Sequence, residues 1–150
     1  RQEVEHHEGE TVQGVRWEKA CVVTVVERVT GLLLVGKSPD KTVRSVNKVL
    51  IKLLSESPLP VRTLTLDNGT EFHRYRDVEA ATGAQDFFAR PPHPWQRGSN
   101  ENTNGLLRQY WPKRASMAHL SQRQCEQIAN TINTRPRKRH GYLSPLQLIT

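Results

Sequence analysis

The chain has 150 residues, with 22 Lys and Arg against 15 Asp and Glu, a formal charge of +7 and a pI near 9.9. That length fits one domain able to bury about 70% of its unfolded surface, and the cationic excess favours polyanionic partners, although a basic surface that merely keeps the chain soluble satisfies the same numbers. No apolar run approaches the ~18 residues of a membrane span, no signal peptide is present, and Cys21 and Cys125 form no CxxC or Cys/His cluster, which argues against structural zinc and suits a reducing cytosol.

In chain order, "HHEGETVQG" (6–14) comes first and carries Glu8 and Glu10 ahead of the apolar runs. "ACVVTVVERV" (20–29) and "LLLVGK" (32–37) are β-branched or aliphatic and flank Gly31, which predicts two adjacent antiparallel strands. From Asp40 the period changes. Val43, Val46, Val49, Leu50, Leu53 and Leu54 fall on one helical face, Asp40 stands where an N-cap could, and "SESPLP" ends the run. "VRTLTL" (61–66) predicts a short strand that delivers its C-terminal end to Asp67-Asn68-Gly69. "RDVEAATG" (76–83) predicts a short helix stopped by Gly83, and "AQDFFA" (84–89) another strand. A Pro-rich loop over 90–98 precedes a helix from about 99 to 110; a further helix spans about 121–134, and "SPLQLI" (144–149) starts a last short one. Strands with antiparallel pairing first, then mostly helices, make an α/β pattern.

Three acidic positions separate from the rest. Asp67 projects from the C-terminal end of a strand, where ligands bind in open α/β sheets, though "DNG" is equally a plain turn. Glu101 lies 34 positions later in the first turn of its helix, where the helix dipole alone favours a carboxylate. Glu8 and Glu10 by themselves read as a solvated strand end; residues two apart share a strand face.

Taken together, "TLDNGTEF" (65–72), "HPWQRGSNENTNGLLRQYWPK" (93–113) and "NTRPRKRHGYLSPLQL" (133–148) resemble the catalytic core of bacterial DDE transposases of the insertion-sequence family known as IS thirty. Retroviral integrase is a more distant relative of that family. The resemblance covers nearly the whole chain, weakest over 1–19 and strongest from 63 to 148. It implies a ribonuclease H-like fold, with a mixed five-stranded sheet, its first strands antiparallel, flanked by helices. It also implies one catalytic core domain over 1–150. The family's upstream DNA-recognition domain is expected to be missing, and a start at Arg1 rather than Met reads as a piece of a longer chain.

In that family a strand aspartate, an aspartate in a "D-x-G-x-E" turn and a helix glutamate form an acid triad. Asp67 matches the second and Glu101 the third. The first position departs: the family reads "WEGD" where this chain reads His7-Glu8-Gly9-Glu10, which puts Glu10 in the aspartate's place. The extra methylene displaces a carboxylate by ~1.5 Å, and a misplacement of ~1 Å can cost a hundredfold in rate. The resemblance implies two Mg²⁺ (or Mn²⁺) ions held by Glu10, Asp67 and Glu101. Hard carboxylate oxygens suit those ions, and an ion pair about 4 Å apart can steady both the attacking and leaving oxygens at phosphorus.

DNA is the expected partner, with a homodimer or higher oligomer because two DNA ends are processed together; the expected location is the bacterial cytoplasm, close to the nucleoid. DNA contacts are expected from His93, Gln96 and Arg97 in the loop, and from Asn104 and Arg108, which share the Glu101 face with Gly105. Leu106, Leu107 and Tyr110 are expected to pack inward. Arg137, Lys138 and Arg139, with Arg135, read as an exposed basic loop that touches the DNA backbone or only solubilises. Two other functions fit the same residues: a catalytically weakened or silent DNA-binding module derived from a transposase, and a ribonuclease H-type nuclease.

Overall fold

The computed structural model describes residues 6–15, 17–66, 75–82, 88–89, 105–112 and 114–149. Strands β1 (His6–Gln13), β2 (Cys21–Glu27) and β3 (Leu33–Ser38) are followed by helix α1 (Val43–Glu56), strand β4 (Thr63–Leu66), helix α2 (Tyr75–Thr82) and strand β5 (Phe88–Ala89). Helix α3 is described over 105–110; α4 (Gln122–Asn133), a 3-10 turn (Lys138–His140) and α5 (Pro145–Ile149) close the chain. One mixed sheet runs in the order β3-β2-β1-β4-β5. The β1–β2 and β2–β3 pairs are antiparallel, and the β1–β4 and β4–β5 pairs are parallel. This is the five-stranded architecture expected from the sequence.

Every residue of β2 is buried, because the strand is covered on both faces. Val23 and Val25 pack with Leu64, Leu66 and the Val46, Leu50, Leu53 and Leu54 stripe of α1. Val22 and Val26 point the other way, into a cluster with Val12, Leu33 and Val35 from the sheet, Leu107 and Trp111, and Cys125, Ala129 and Ile132 of α4. The register sets Glu8 opposite Val26, Glu10 opposite Thr24 and Val12 opposite Val22. The even-numbered side chains of β1 therefore face the same layer as α3 and α4.

Helix α1 begins two residues later than its sequence suggested. Thr42, not Asp40, is the N-cap, its hydroxyl accepting from the Ser45 amide at 3.2 Å. Asp40 supports that cap instead: its carboxylate accepts from the Thr42 amide at 3.0 Å and the Thr42 hydroxyl at 2.6 Å. In the β2–β3 turn Gly31 takes φ +75°, a conformation that favours glycine. The fully buried Glu27 carboxylate ties that turn together, accepting from the Val29 and Thr30 amides and the Thr30 hydroxyl.

The outer edge of β3 is closed by side chains of α4. Asn133 accepts from the Leu33 amide and donates to the Leu33 carbonyl, both at 2.8 Å. Gln122, eleven positions earlier and so on the same helical face, accepts from the Lys37 amide at 2.9 Å and donates to the Val35 carbonyl at 3.2 Å. Two amide side chains thus stand in for a neighbouring strand.

Candidate active site

Glu10 and Glu8 lie on one face of β1, and the fold treats them differently. Glu8 is 3% exposed and paired with Arg28 of the β2–β3 turn, Oε2 to Nε 3.4 Å. Glu10 is only half-buried, and its backbone carbonyl accepts from the Thr24 hydroxyl at 3.4 Å. Of the two, Glu10 is the carboxylate that a ligand could reach. Between them Gly9 meets Leu66: a Cβ at Gly9 would come within 2.7 Å of Leu66 Cδ2. Glycine leaves the space that the Leu66 side chain fills.

Parallel pairing sets His7 opposite Leu64, Glu8 opposite Thr65 and Gly9 opposite Leu66. The next residue after Gly9 is Glu10, and the next after Leu66 is Asp67. Asp67 itself, with His93, Gln96, Arg97, Glu101 and Asn104, lies outside the described residues. Among the described residues no group of three His, Cys, Asp or Glu side chains is placed to hold a metal ion.

Helix α3 reaches the Glu10 face of the sheet through Leu107, which is fully buried in the cluster that contains Val12. Leu106 packs partly against the same cluster, as expected, but Tyr110 is exposed and its hydroxyl accepts from Arg135 at 3.4 Å. Among the described residues nothing lies within 4 Å of a Cβ added at Gly105. Arg108 is turned inward: its guanidinium donates to the Gln13 carbonyl at 3.1 Å and the Trp111 carbonyl at 3.3 Å. Its described bonds thus join the end of β1 to the end of α3, which is a structural task.

The basic stretch after α4 is exposed as expected at Lys138 and Arg139, but not at Arg137. Arg137 is 7% exposed, pairs with Leu143 through its backbone and donates to the Ile132 carbonyl at 3.3 Å. Burial and the neighbouring Arg139 and Arg135 charges lower its pKa from the ordinary arginine value. Lys138 and Arg139 remain exposed, and His140 Nε2 lies 2.9 Å from the Thr30 carbonyl. Charge marks Arg137 in the sequence, whereas its burial and its bond to the Ile132 carbonyl are set by the fold.

Sequence reasoning also missed Glu18. Its carboxylate accepts from the Ser116 hydroxyl at 2.7 Å and the Met117 amide at 3.1 Å, which fastens the β1–β2 turn to the segment after α3. Those two bonds hold its pKa below the usual carboxylate range. A single Glu in a polar turn gives no sequence signal for a partner almost a hundred residues away.

No family model matches the chain. It is 42% identical over 145 residues to the transposase for insertion sequence element IS1086 of Cupriavidus metallidurans, covering 96% of this chain and 42% of that protein. It is 35% identical over 150 residues to transposase InsI for insertion sequence element IS30A of Escherichia coli K12, covering 99% of this chain and 39% of the relative. The transposase for IS4351 of Bacteroides fragilis is 37% identical over 127 residues, covering 85% of this chain and 39% of its own length. The chain therefore spans about two fifths of the length of these curated relatives. In fold it is similar to the catalytic core domain of BIV integrase, with a TM-score of 0.72 at 18% identity, covering 97% of this chain and 93% of that one. Over nearly its whole length the chain is a homologue of insertion-sequence transposases, corresponding to about two fifths of such a protein and folded as an integrase core is folded.

Proposed function

We propose that this chain is the catalytic portion of a DNA transposase, which cuts a phosphodiester with water and joins the freed 3′-hydroxyl to a second strand. The observation that carries this reading is the pairing of Gly9 with Leu66 on adjacent parallel strands, because the residues that follow them are Glu10 and Asp67. Packing of Leu107 on the Glu10 face adds support, since Glu101 lies six positions before it in the chain. Glu10, Asp67 and Glu101 are the residues that would hold Mg²⁺ or Mn²⁺, and their hard oxygen donors fit those ions. When bound, such ions neutralise charge that develops on the attacking and leaving oxygens. Glu10 offers its carboxylate from a strand fixed on both sides, and burial of Glu8 against Arg28 keeps the second acid from competing. DNA is the substrate in this reading, and a homodimer or higher oligomer brings two ends together.

The test incubates the chain with insertion-element end DNA, a target plasmid and Mg²⁺ or Mn²⁺. Nicked and joined products are expected, and Asp67→Asn should lower both below about one hundredth of the wild-type rate, the scale on which a misplaced reactive group is felt. Unchanged nicking by Asp67→Asn removes the triad from the mechanism. A second reading, a catalytically weakened or silent DNA-binding module, is favoured by Glu10 itself, whose carboxylate stands ~1.5 Å beyond an aspartate's. Binding of DNA with no nicking in either metal selects it.

A further inference from the structure

We propose that the groove between α1 and the β3 edge is a second DNA-backbone contact, on the sheet face opposite Glu10. This inference rests on the reading that DNA is the partner. Arg44, Lys48 and Lys52 repeat every four residues along α1, so they form one stripe, and all three are exposed. They line a groove of about 420 Å³ together with Lys37, the neutral polar side chains of Ser45 and Gln122, and an apolar floor that includes Val49 and Leu53. At 1.5 Å per residue the stripe covers ~12 Å, a length over which duplex DNA carries about seven phosphates at one per ~1.7 Å. Cations in a line along a helix match a phosphodiester backbone, whereas a small anion calls for donors that converge on one point.

Among the described residues no acid lines the groove itself. Asp40, next to the lining residue Pro39, accepts from Thr42, and Glu56 continues the same helical row one turn past Lys52. Asp77 of α2 shares the adjoining hollow with Arg44 and Lys48. Lys37 is partly committed, its Nζ donating to the Ala118 carbonyl at 2.8 Å, so Arg44, Lys48 and Lys52 carry the proposal. The α1 stripe that packs inward faces the core shared by Val23, Val25, Leu64 and Leu66, whereas the even-numbered β1 side chains face the other core with Val12. A duplex on this groove therefore leaves the Glu10 face open to a different stretch of DNA.

The test measures binding of a mixed-sequence duplex without divalent metal between about 50 and 200 mM salt. Wild-type chain is compared with the triple variant Arg44→Ala, Lys48→Ala, Lys52→Ala. Each phosphate contact contributes about 0.9 to the slope of log affinity against log salt, so the triple variant is expected to lose roughly 2–3 from that slope with an unchanged circular dichroism spectrum. A slope equal to wild type in the folded variant overturns the groove. If the triple variant does not fold, Lys48→Gln and Lys52→Gln are measured singly, each expected to lower the slope by about 0.9, and two unmoved slopes overturn it equally. A wild-type chain with no salt-dependent affinity sinks the DNA reading as well. Sedimentation that shows a dimer lost in the variant, with the slope unmoved, assigns the groove to a second copy and overturns the proposal.

Discussion

Gly9 separates two carboxylates that share a strand face but differ in environment. Glu8 is buried against Arg28, while Glu10 is reachable from outside. The absence of a side chain at Gly9 lets Leu66 fill the space beside it, and Leu66 is the residue that leads into Asp67. Gly9→Ala is therefore expected to overpack this contact, lowering unfolding free energy by about 1–3 kcal/mol in urea titrations. It should also reduce strand joining, because Leu66, which leads into Asp67, must shift. Glu10→Asp should raise joining, by up to about a hundredfold if the methylene is what misplaces the carboxylate; a drop or no change contradicts that account of the first position. Burial pushes the Cys125 thiol up to about 11, so a native chain should resist thiol alkylation at neutral pH and react only when unfolded. Mass spectrometry after iodoacetamide treatment measures this.

The element whose position matters most to the sheet is α4. Ser121 and Gln124 close its N-terminus with a reciprocal capping box, and Gln122 and Asn133 attach it to the β3 edge. Leu33 is fully buried, so loss of Asn133 leaves a buried amide and carbonyl without their partner. The Gln122→Ala, Asn133→Ala double variant should lose about 2–4 kcal/mol by urea unfolding, since each net hydrogen bond is worth roughly 1 kcal/mol and unmet buried groups add to the loss. It should also associate at raised concentration, because an uncovered edge strand recruits another. A stable, strictly unaltered oligomeric state in light scattering contradicts the edge-closing role.

At the scale of the whole molecule, the two faces of the sheet carry separate cores, and long-range ties hold the layers in place. Glu18 is one such tie, joining the β1–β2 turn to Ser116 and Met117. Its lowered pKa means that it contributes stability above the ordinary carboxylate range and loses it as pH falls through the lowered value. The melting temperature of Glu18→Gln should thus trail wild type near neutral pH and converge with it in acid. Arg108 is a second tie, from α3 to the end of β1. The same charge excess that pointed to nucleic acid is in part spent on such internal bonds, as in Arg108, Arg137 and Lys37.

The apolar periods of β2, β3, β4 and α1 were legible because burial on one or both faces dictates them locally, and their boundaries agree with the structure within a few residues. The motifs around Asp67 and Glu101, with Glu10 upstream, made the family legible in the same way, since a recurrent string of residues needs no coordinates to be compared. Other features depended on folding. Which of Glu8 and Glu10 stays accessible, which arginines turn inward, that Thr42 rather than Asp40 caps α1, and that Tyr110 is exposed are outcomes of contacts between distant segments. Charge and periodicity are properties of a residue and its near neighbours, whereas desolvation is imposed by whatever packs against it, and only the tertiary structure brings Arg28 to Glu8 or Gln13 to Arg108.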